Sequence, residues 1–480
     1  MRIEDVQLGT GPIVRIHADG PAAVVAAYGD RIVGRASWRR LAGPRAEAEI
    51  TVERDFARSP LAAHLLVRLA RLADAALVPT LVVHAGPAVT EGFGGGTEIR
   101  TQEWPAALAA LEHAPARGAA PGTVVIAGGG VAGLECLMAL RDLEGDDLHI
   151  VLVSPSDTFA YRPLAVAEPF SLGRVRRYPL APIADDFGAE LVRDVVVEVD
   201  AAERRALCGS GAALDFGALV LAPGTRPEAP VAHAITFGAP GSQTQLEALL
   251  ANLRDGSCRD VIFLVPAETS WSLPLYELAL MTAGEAPDGA RIWLVSPERR
   301  PLAVFGPTVS ADVARMLEAA GVQFVGSVRA VPEPGAVRFD GRLVEADAVV
   351  ALPALRGPGV RGVPADERGF IPTDEHGRVR GLEAVYAAGD ATAFPVKQGG
   401  LAAQQADAVA EAIAAAFGAP MTPRPFRPVL RGLLFTGGED RFLRADLGGG
   451  EGDATAAGGA LWSPPTKVAG LYLAPYLAGR

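Results

Sequence analysis

Cysteine is almost missing from this chain: Cys136, Cys208 and Cys258 stand far apart, odd in number and without a C-x-x-C pair. That excludes a disulfide framework and a cysteine-based zinc module, and makes a reducing, cytoplasmic setting the default expectation. Long apolar runs are missing too, since no stretch approaches the ~18 consecutive apolar residues of a membrane span. The opening MRIEDVQLGT lacks a basic segment followed by an apolar one, so the expectation is a soluble protein, peripheral to a membrane at most. Basic charge is short. A net charge of −12 and a pI near 5.2 argue against a nucleic-acid partner, because a phosphate backbone wants a basic surface.

What is present is length and turns. The 480 residues suggest roughly three domains, and the 55 glycines and 38 prolines indicate many short connections. In the first third, Ala22–Tyr28 and Arg31–Arg39 read as strands joined at Gly29-Asp30, a third strand follows at Ala46–Val52, and Leu61, Leu65, Leu66, Leu69 and Leu72 recur at helical spacing before a strand at Thr80–His84. This order resembles the centre of a GNAT-type acetyltransferase. Its pyrophosphate loop would be Arg58–Ala63, where Leu61 replaces a needed glycine and Pro60 removes a backbone donor. A degenerate relative, kept for packing or partner contact, is the expectation. Gly/Pro-rich pieces at Glu91–Thr97 and Ala114–Gly122, with a helical Trp104–Leu111 between them, read as linkers.

VVIAGGGVAGLE, Val124–Glu135, is the strongest motif. A β-branched run enters Gly128-x-Gly130-x-x-Gly133 and a helical stretch leaves it, which is what a dinucleotide pyrophosphate needs. Gly128 allows the tight turn, Gly130 lets the backbone approach phosphate, Gly133 lets helix and strand pack, and the helix start offers free N–H groups. The next strand, Leu148–Val153, ends at Ser154 rather than an acidic residue, so its hydroxyl is the ribose candidate, with Asp157 as a substitute from the loop; a plain turn-capping role for Ser154 is equally open. Downstream come Tyr161-Arg162-Pro163-Leu164, the strand Phe216–Leu221 breaking at Ala222-Pro223-Gly224, and a strand at Ala384–Ala387 that runs into Ala388-Gly389-Asp390.

VVIAGGGVAGLE, LVLAPGTRP and VYAAGDATAFPVKQGG occur in the order and spacing of the FAD-dependent pyridine nucleotide-disulfide oxidoreductase superfamily. Arg162-Pro163-Leu164 and Pro395–Gly400 resemble its sulfide:quinone oxidoreductase and type II NADH dehydrogenase branch. The resemblance implies an α/β fold of two Rossmann-like three-layer domains, here preceded by the small α+β domain. It also implies FAD held by Gly128, Gly130, Gly133, Ser154, Arg162, Ala222, Gly224, Gly389 and Asp390. Lys397, Gln398 and Gly399 would lie beside the isoalloxazine, where a lysine can balance the charge of the reduced ring; a solvated loop lysine is the plainer reading. The domain boundaries expected are 1–118 for the degenerate GNAT-like accessory domain with its linker, 119–234 and 346–420 for the two parts of the FAD-binding domain, 235–345 for the second Rossmann domain, and 421–480 for a C-terminal packing segment.

The second domain keeps a strand at Asp260–Pro266, a helix at Leu275–Met281 and a strand at Arg291–Val295, but its glycines are gone. Lining up Glu277 with Glu135 puts Ser270, Ser272 and Leu275 at the three glycine positions. Standard NAD(P)H binding is therefore disfavoured, although Glu298 stands where a ribose acceptor would be. Paired-cysteine attack on sulfide is disfavoured as well, because no cysteine follows Cys258 and Cys136 reads as a buried structural thiol. Glu277 is the carboxylate that in type II NADH dehydrogenase relatives faces the flavin and relays protons; a helix N-terminal glutamate favoured by the dipole is the alternative. Lys467–Tyr476 is apolar enough for a quinone entrance or membrane surface, while packing on the FAD domain or a homodimer contact is the simpler account. The expected function is an FAD oxidoreductase that passes electrons to a quinone-like or other small acceptor. An NAD(P)H-dependent flavoprotein reductase and a flavin-binding scaffold without turnover remain as alternatives.

Overall fold

The computed structural model describes, within residues 1–117, seven strands and two helical leucines, and beyond them residues 122–228, 230–447 and 454–480. The chain divides into two compact units, 1–117 and 118–480. In the first, β1 (Glu4–Gln7), β2 (Ile13–Ala18), β3 (Ala23–Tyr28), β4 (Arg31–Arg40), β5 (Arg45–Val52), β6 (Thr80–His84) and β7 (Glu98–Arg100) form one sheet in sequence order. β3 and β4 are antiparallel and Tyr28 pairs with Arg31, the strand pairing a hairpin there requires; Gly29-Asp30 itself lies outside the described residues. β5 and β6 run parallel, which requires a crossover. Leu65 and Leu69 lie in it, helical, one turn apart and fully buried. The four expected strands are therefore β3 to β6, and β1, β2 and β7 extend the sheet beyond them. The expected likeness to acetyltransferases is not confirmed: the order of these strands is the one expected, but the loop Arg58–Ala63, the expected helix Trp104–Leu111 and the expected linkers at 91–97 and 114–121 lie outside the described residues.

The second unit runs β8 (Thr123–Ala127), α1 (Val131–Glu144), β9 (His149–Val153), β10 (Glu190–Val192), β11 (Ala218–Leu221), β12 (Ile235–Thr236) and α2 (Ser242–Arg254). It continues with β13 (Asp260–Leu264), α3 (Leu273–Glu285), β14 (Arg291–Val295), α4 (Pro307–Ala319), β15 (Val322–Val325), β16 (Ala348–Ala351), β17 (Val385–Ala387) and α5 (Gly399–Phe417). β18 (Val429–Leu434), β19 (Arg441–Asp446), β20 (Thr455–Ala457) and α6 (Leu473–Ala478) close it.

Two parallel five-stranded sheets follow from this order. One is β10-β9-β8-β11-β17 and the other β12-β16-β13-β14-β15. Their central strands read as continuous apolar runs because both faces are covered, and all five residues of β8 are buried. α1 and α5 share one apolar core with β8 and β9, while α3 and α4 pack with β13 and β14 in another. Pro274 sits in the first turn of α3, where its missing N–H removes no helical bond.

The C-terminal region ties these layers together. β18, β19 and β20 make an antiparallel sheet, and Gly432 lets β18 close on α3, since a Cβ there would meet Leu273 and Phe305 at 2.9 Å. α6 buries Leu473, Ala474 and Leu477 and is capped by a side chain from α1. Fully buried Glu135 accepts from the N–H of Tyr472 at 2.9 Å and of Leu473 at 2.8 Å. Tyr472 Oη donates to Asp142 and Tyr476 Oη to Asp186. Among the readings open for this segment, packing on the first sheet's helices is the one the structure shows. Among the described residues no helix is long and apolar enough to cross a membrane.

Candidate functional site

The three fingerprint glycines serve different needs. Gly128 has φ +130° and an added Cβ would stand 2.1 Å from the Ala222 carbonyl oxygen, so β8 and β11 can approach at their ends only without a side chain. At Gly133 a Cβ would be 1.8 Å from the carbonyl of Gly128, which fixes α1 against its own strand. Gly130 meets nothing within 4 Å. Its open side, at the N-terminus of α1, is where a pyrophosphate can be received by backbone N–H groups. The chain therefore fits FAD at this cradle.

Other expected residues gather at the same carboxyl edge of the sheet. Gly224 has φ +73°, and Gly389 has φ +76° with its missing Cβ only 2.9 Å from Ala132. The N–H of Gly389 donates to Gln405 at 2.7 Å. Asp390 follows in a tight turn, its carboxyl pushed up by burial against the pull of Lys397. Ser154 is buried at the end of β9, and its hydroxyl accepts from the N–H of Ser156 at 3.3 Å, a turn-capping contact.

Lys397 and Gln398 turn inward. The Lys397 ammonium donates to the carbonyls of Thr392 and, at 2.7 Å, Phe394, and lies 3.9 Å from the centre of the Phe370 ring. Burial brings its pKa down to about 8, opposed by Asp390. Gln398 caps α5 by accepting from the N–H of Leu401 at 2.9 Å and donates to the Arg431 carbonyl at 3.0 Å. These two side chains hold the loop after Asp390 and join α5 to β18.

Beside them lies a cavity of about 210 Å³. Its walls come from the short helix Arg162–Phe170, the start of α3, the residues leading into α5, β18 and the segment around Lys467. Trp271, Leu273, Val166 and Leu433 make it largely apolar. Glu277, fully buried, lines it as well. One carboxylate oxygen accepts from the Lys467 ammonium and, at 2.9 Å, from the N–H of Phe435. The other, Oε2, is buried without any hydrogen-bond partner. Burial raises the carboxyl's pKa, opposed by Lys467, and lowers that of Lys467, whose ammonium also sits 4.0 Å from the Phe435 ring centre. Tyr161 fixes the neighbouring backbone, its hydroxyl accepting from the N–H of Val468 at 3.0 Å.

Sequence reasoning missed Lys467 as a site residue, and a signal was available. Of the 44 basic residues only two are lysines, Lys397 and Lys467, and both line this cavity. Arginine keeps its charge almost anywhere, whereas a buried lysine can release its proton. Arg431, which also lines the cavity, carried no sequence signal.

In the second sheet, the residues at the expected nicotinamide positions make contacts within the chain. Leu275 is fully buried. The Tyr276 hydroxyl donates to Glu298 Oε2 at 2.7 Å, and Ser296 Oγ donates to the same oxygen at 3.1 Å. The carboxylate expected to meet a ribose is thus engaged by the chain itself. The cysteines are buried and their thiols pushed up in pKa by burial, to about 11 at Cys208 and Cys258. None of them lines the cavity.

Residues 277–416 match the pyridine nucleotide-disulphide oxidoreductase family. The chain is an oxidoreductase, and the family it matches over these residues is of the FAD-dependent class. It is 25% identical over 295 residues to apoptosis-inducing factor 1 of Saccharomyces cerevisiae, covering 56% of this chain and 74% of the yeast protein. It is 26% identical over 305 residues to a sulfide-quinone reductase of Aquifex aeolicus, covering 57% of this chain and 63% of that protein. The solved structure of the Aquifex aeolicus sulfide:quinone oxidoreductase superposes with a TM-score of 0.64 at 20% identity over 70% of this chain and 86% of its own, a likeness of fold. Proteins of this superfamily bind FAD and often NAD(P)H.

The buried ion pair makes a direct prediction. Lys467→Met leaves the Glu277 carboxylate uncompensated in a closed site and should cost about 3–5 kcal/mol in chemical denaturation. Pairing it with Glu277→Leu should restore most of that loss, and a double variant as unstable as the single one would show that the pair does not organise the site.

Proposed function

We propose that this flavoprotein passes electrons from its FAD to a small, flat, quinone-like acceptor received in the cavity beside Lys397-Gln398-Gly399. The observation that carries this reading is the buried, unpartnered Oε2 of Glu277, the one carboxylate in the wall of a chamber made largely of apolar side chains together with basic ones. FAD, when bound, supplies the two-electron redox chemistry. Gly128, Gly130, Gly133, Gly389 and Asp390 would hold it, with Ser154, Arg162, Ala222 and Gly224 around the same edge. The apolar walls exclude water and suit a carbonyl-bearing ring. Glu277, its proton affinity raised by burial, holds a proton at Oε2 for an acceptor oxygen that becomes basic on reduction. Lys467 keeps that carboxyl in place. A lipid-soluble acceptor would bring a cytoplasmic protein to a membrane surface as a peripheral partner, with no need for nucleic acid or for a second copy of the chain.

The electron donor in this reading is not NAD(P)H bound in the second domain. Tyr276 and Ser296 occupy the Glu298 carboxylate, and Leu275 fills the position of the third glycine. The N-terminal unit we read as an accessory domain without acetyl-transfer activity; saturable micromolar binding of coenzyme A in calorimetry would contradict that.

Photoreduced enzyme mixed anaerobically with menadione in a stopped-flow instrument should regain its oxidised flavin spectrum, and Glu277→Gln should slow that return by about 100-fold. Oxidised enzyme mixed with NADH or NADPH should keep its absorbance. Rapid bleaching by either nucleotide, or reoxidation by menadione that is indifferent to Glu277→Gln, would sink the proposal.

A further inference from the structure

The cavity is basic, in a protein that is not. Its side chains include four cations, Arg162, Lys397, Arg431 and Lys467, against the single carboxylate of Glu277, although the whole chain carries a net charge of −12. Two of the cations have internal partners: Lys397 donates to loop carbonyls and Lys467 to Glu277. Arg431 is different. Its Nε is buried and has no hydrogen-bond partner. A buried guanidinium N–H without an acceptor is costly, and the cost here is increased from the next strand, because Arg431 pairs in register with Arg444. Like charges directly opposite in a sheet repel, and both burial and Arg444 work against the Arg431 charge.

The site is built to keep Arg431 in place all the same. Its carbonyl is held by the Gln398 side chain, and its neighbour Gly432 brings β18 against α3 without a side chain between them. Two cations paired in register, one of them with a buried Nε that has no acceptor, become more favourable when an anion arrives.

We propose that Arg431 is a specificity-determining residue that selects an anionic substrate, a small organic molecule with a flat apolar body and a carboxylate or sulfonate-like group that accepts from Arg431 Nε. The inference rests on the cavity being the substrate site, as in the function proposed above, and adds the charge of the substrate to it. The apolar walls take the ring, and Arg431 takes the anionic oxygen. The protein's overall negative charge opposes the approach of such a ligand at long range, so discrimination in its favour comes from this local contact.

Redox-inert probes separate this inference from the quinone reading. Flavin-loaded enzyme is titrated with naphthalene-2-sulfonate and with neutral naphthalene-2-sulfonamide, following the flavin absorbance and, in parallel, the heat of binding. The sulfonate should bind at least about tenfold more tightly, as expected for a charge-assisted hydrogen bond. Arg431→Gln should bring the sulfonate down to the level of the sulfonamide, and Arg431→Lys should retain part of the preference. Equal affinity of the two probes for the unaltered enzyme, or no binding of either, overturns the proposal without any variant. A preference that survives Arg431→Gln overturns it too. So does a variant whose flavin midpoint potential falls while its sulfonate affinity is unchanged, since the arginine would then serve the flavin. Failure of menadione to reoxidise the enzyme would remove the quinone reading and leave the probe titration standing.

Discussion

Everything around the cavity depends on a carboxylate that has no access to water. Glu277 is buried completely, and an isolated charge in that position would cost the fold several kcal/mol. The chain offsets that cost with groups remote in sequence, the Lys467 ammonium and the Phe435 N–H. To deliver them, β18 must lie against α3, which Gly432 permits, and the segment through Lys467 must return to the same place, which Tyr161 secures through Val468. The same bonds leave Oε2 unsatisfied.

The first sheet repeats the device without the chemistry. Glu135 lies in α1 where Glu277 lies in α3, and it too is fully buried. Its two oxygens are both satisfied, by the N–H groups of Tyr472 and Leu473. The C-terminal segment is therefore held by a buried glutamate from each Rossmann-like unit. Around Glu135 the glycine cradle is intact and open at Gly130; near Glu277 the glycines are replaced, Leu275 and Tyr276 are fully buried, and the Tyr276 hydroxyl donates to Glu298. In the function proposed above, one unit holds the nucleotide and the other supplies a wall and an acid.

Much of this was legible in the sequence because it rests on local chemistry. The strand–glycine–helix signature of Val124–Glu135 is a backbone requirement, so Gly128 and Gly133 stand where steric necessity puts them. Parallel strands buried on both faces read as apolar runs, and β14 matches its expected limits of Arg291–Val295. The loss of the second glycine set was legible too, and Leu275, which stands at the third glycine position, is fully buried. What could not be read was any contact between distant segments. Nothing near Lys467 in the chain announces that its partner lies 190 residues earlier, and nothing in RPVLRGLLF shows that Arg431 faces a cavity. Lys397 was legible as a position but not as an orientation, since its ammonium is committed to the carbonyls of its own loop.

The central claim is that the protonation of the Glu277 carboxyl is coupled to electron transfer between a flavin held by the glycine cradle and an acceptor in the cavity. Infrared difference spectroscopy of the FAD-loaded protein, oxidised minus photoreduced, reads this directly. The account predicts a carboxyl band that shifts or changes protonation on flavin reduction and disappears in Glu277→Gln. A difference spectrum with no carboxyl contribution, or with one that persists in that variant, would contradict it.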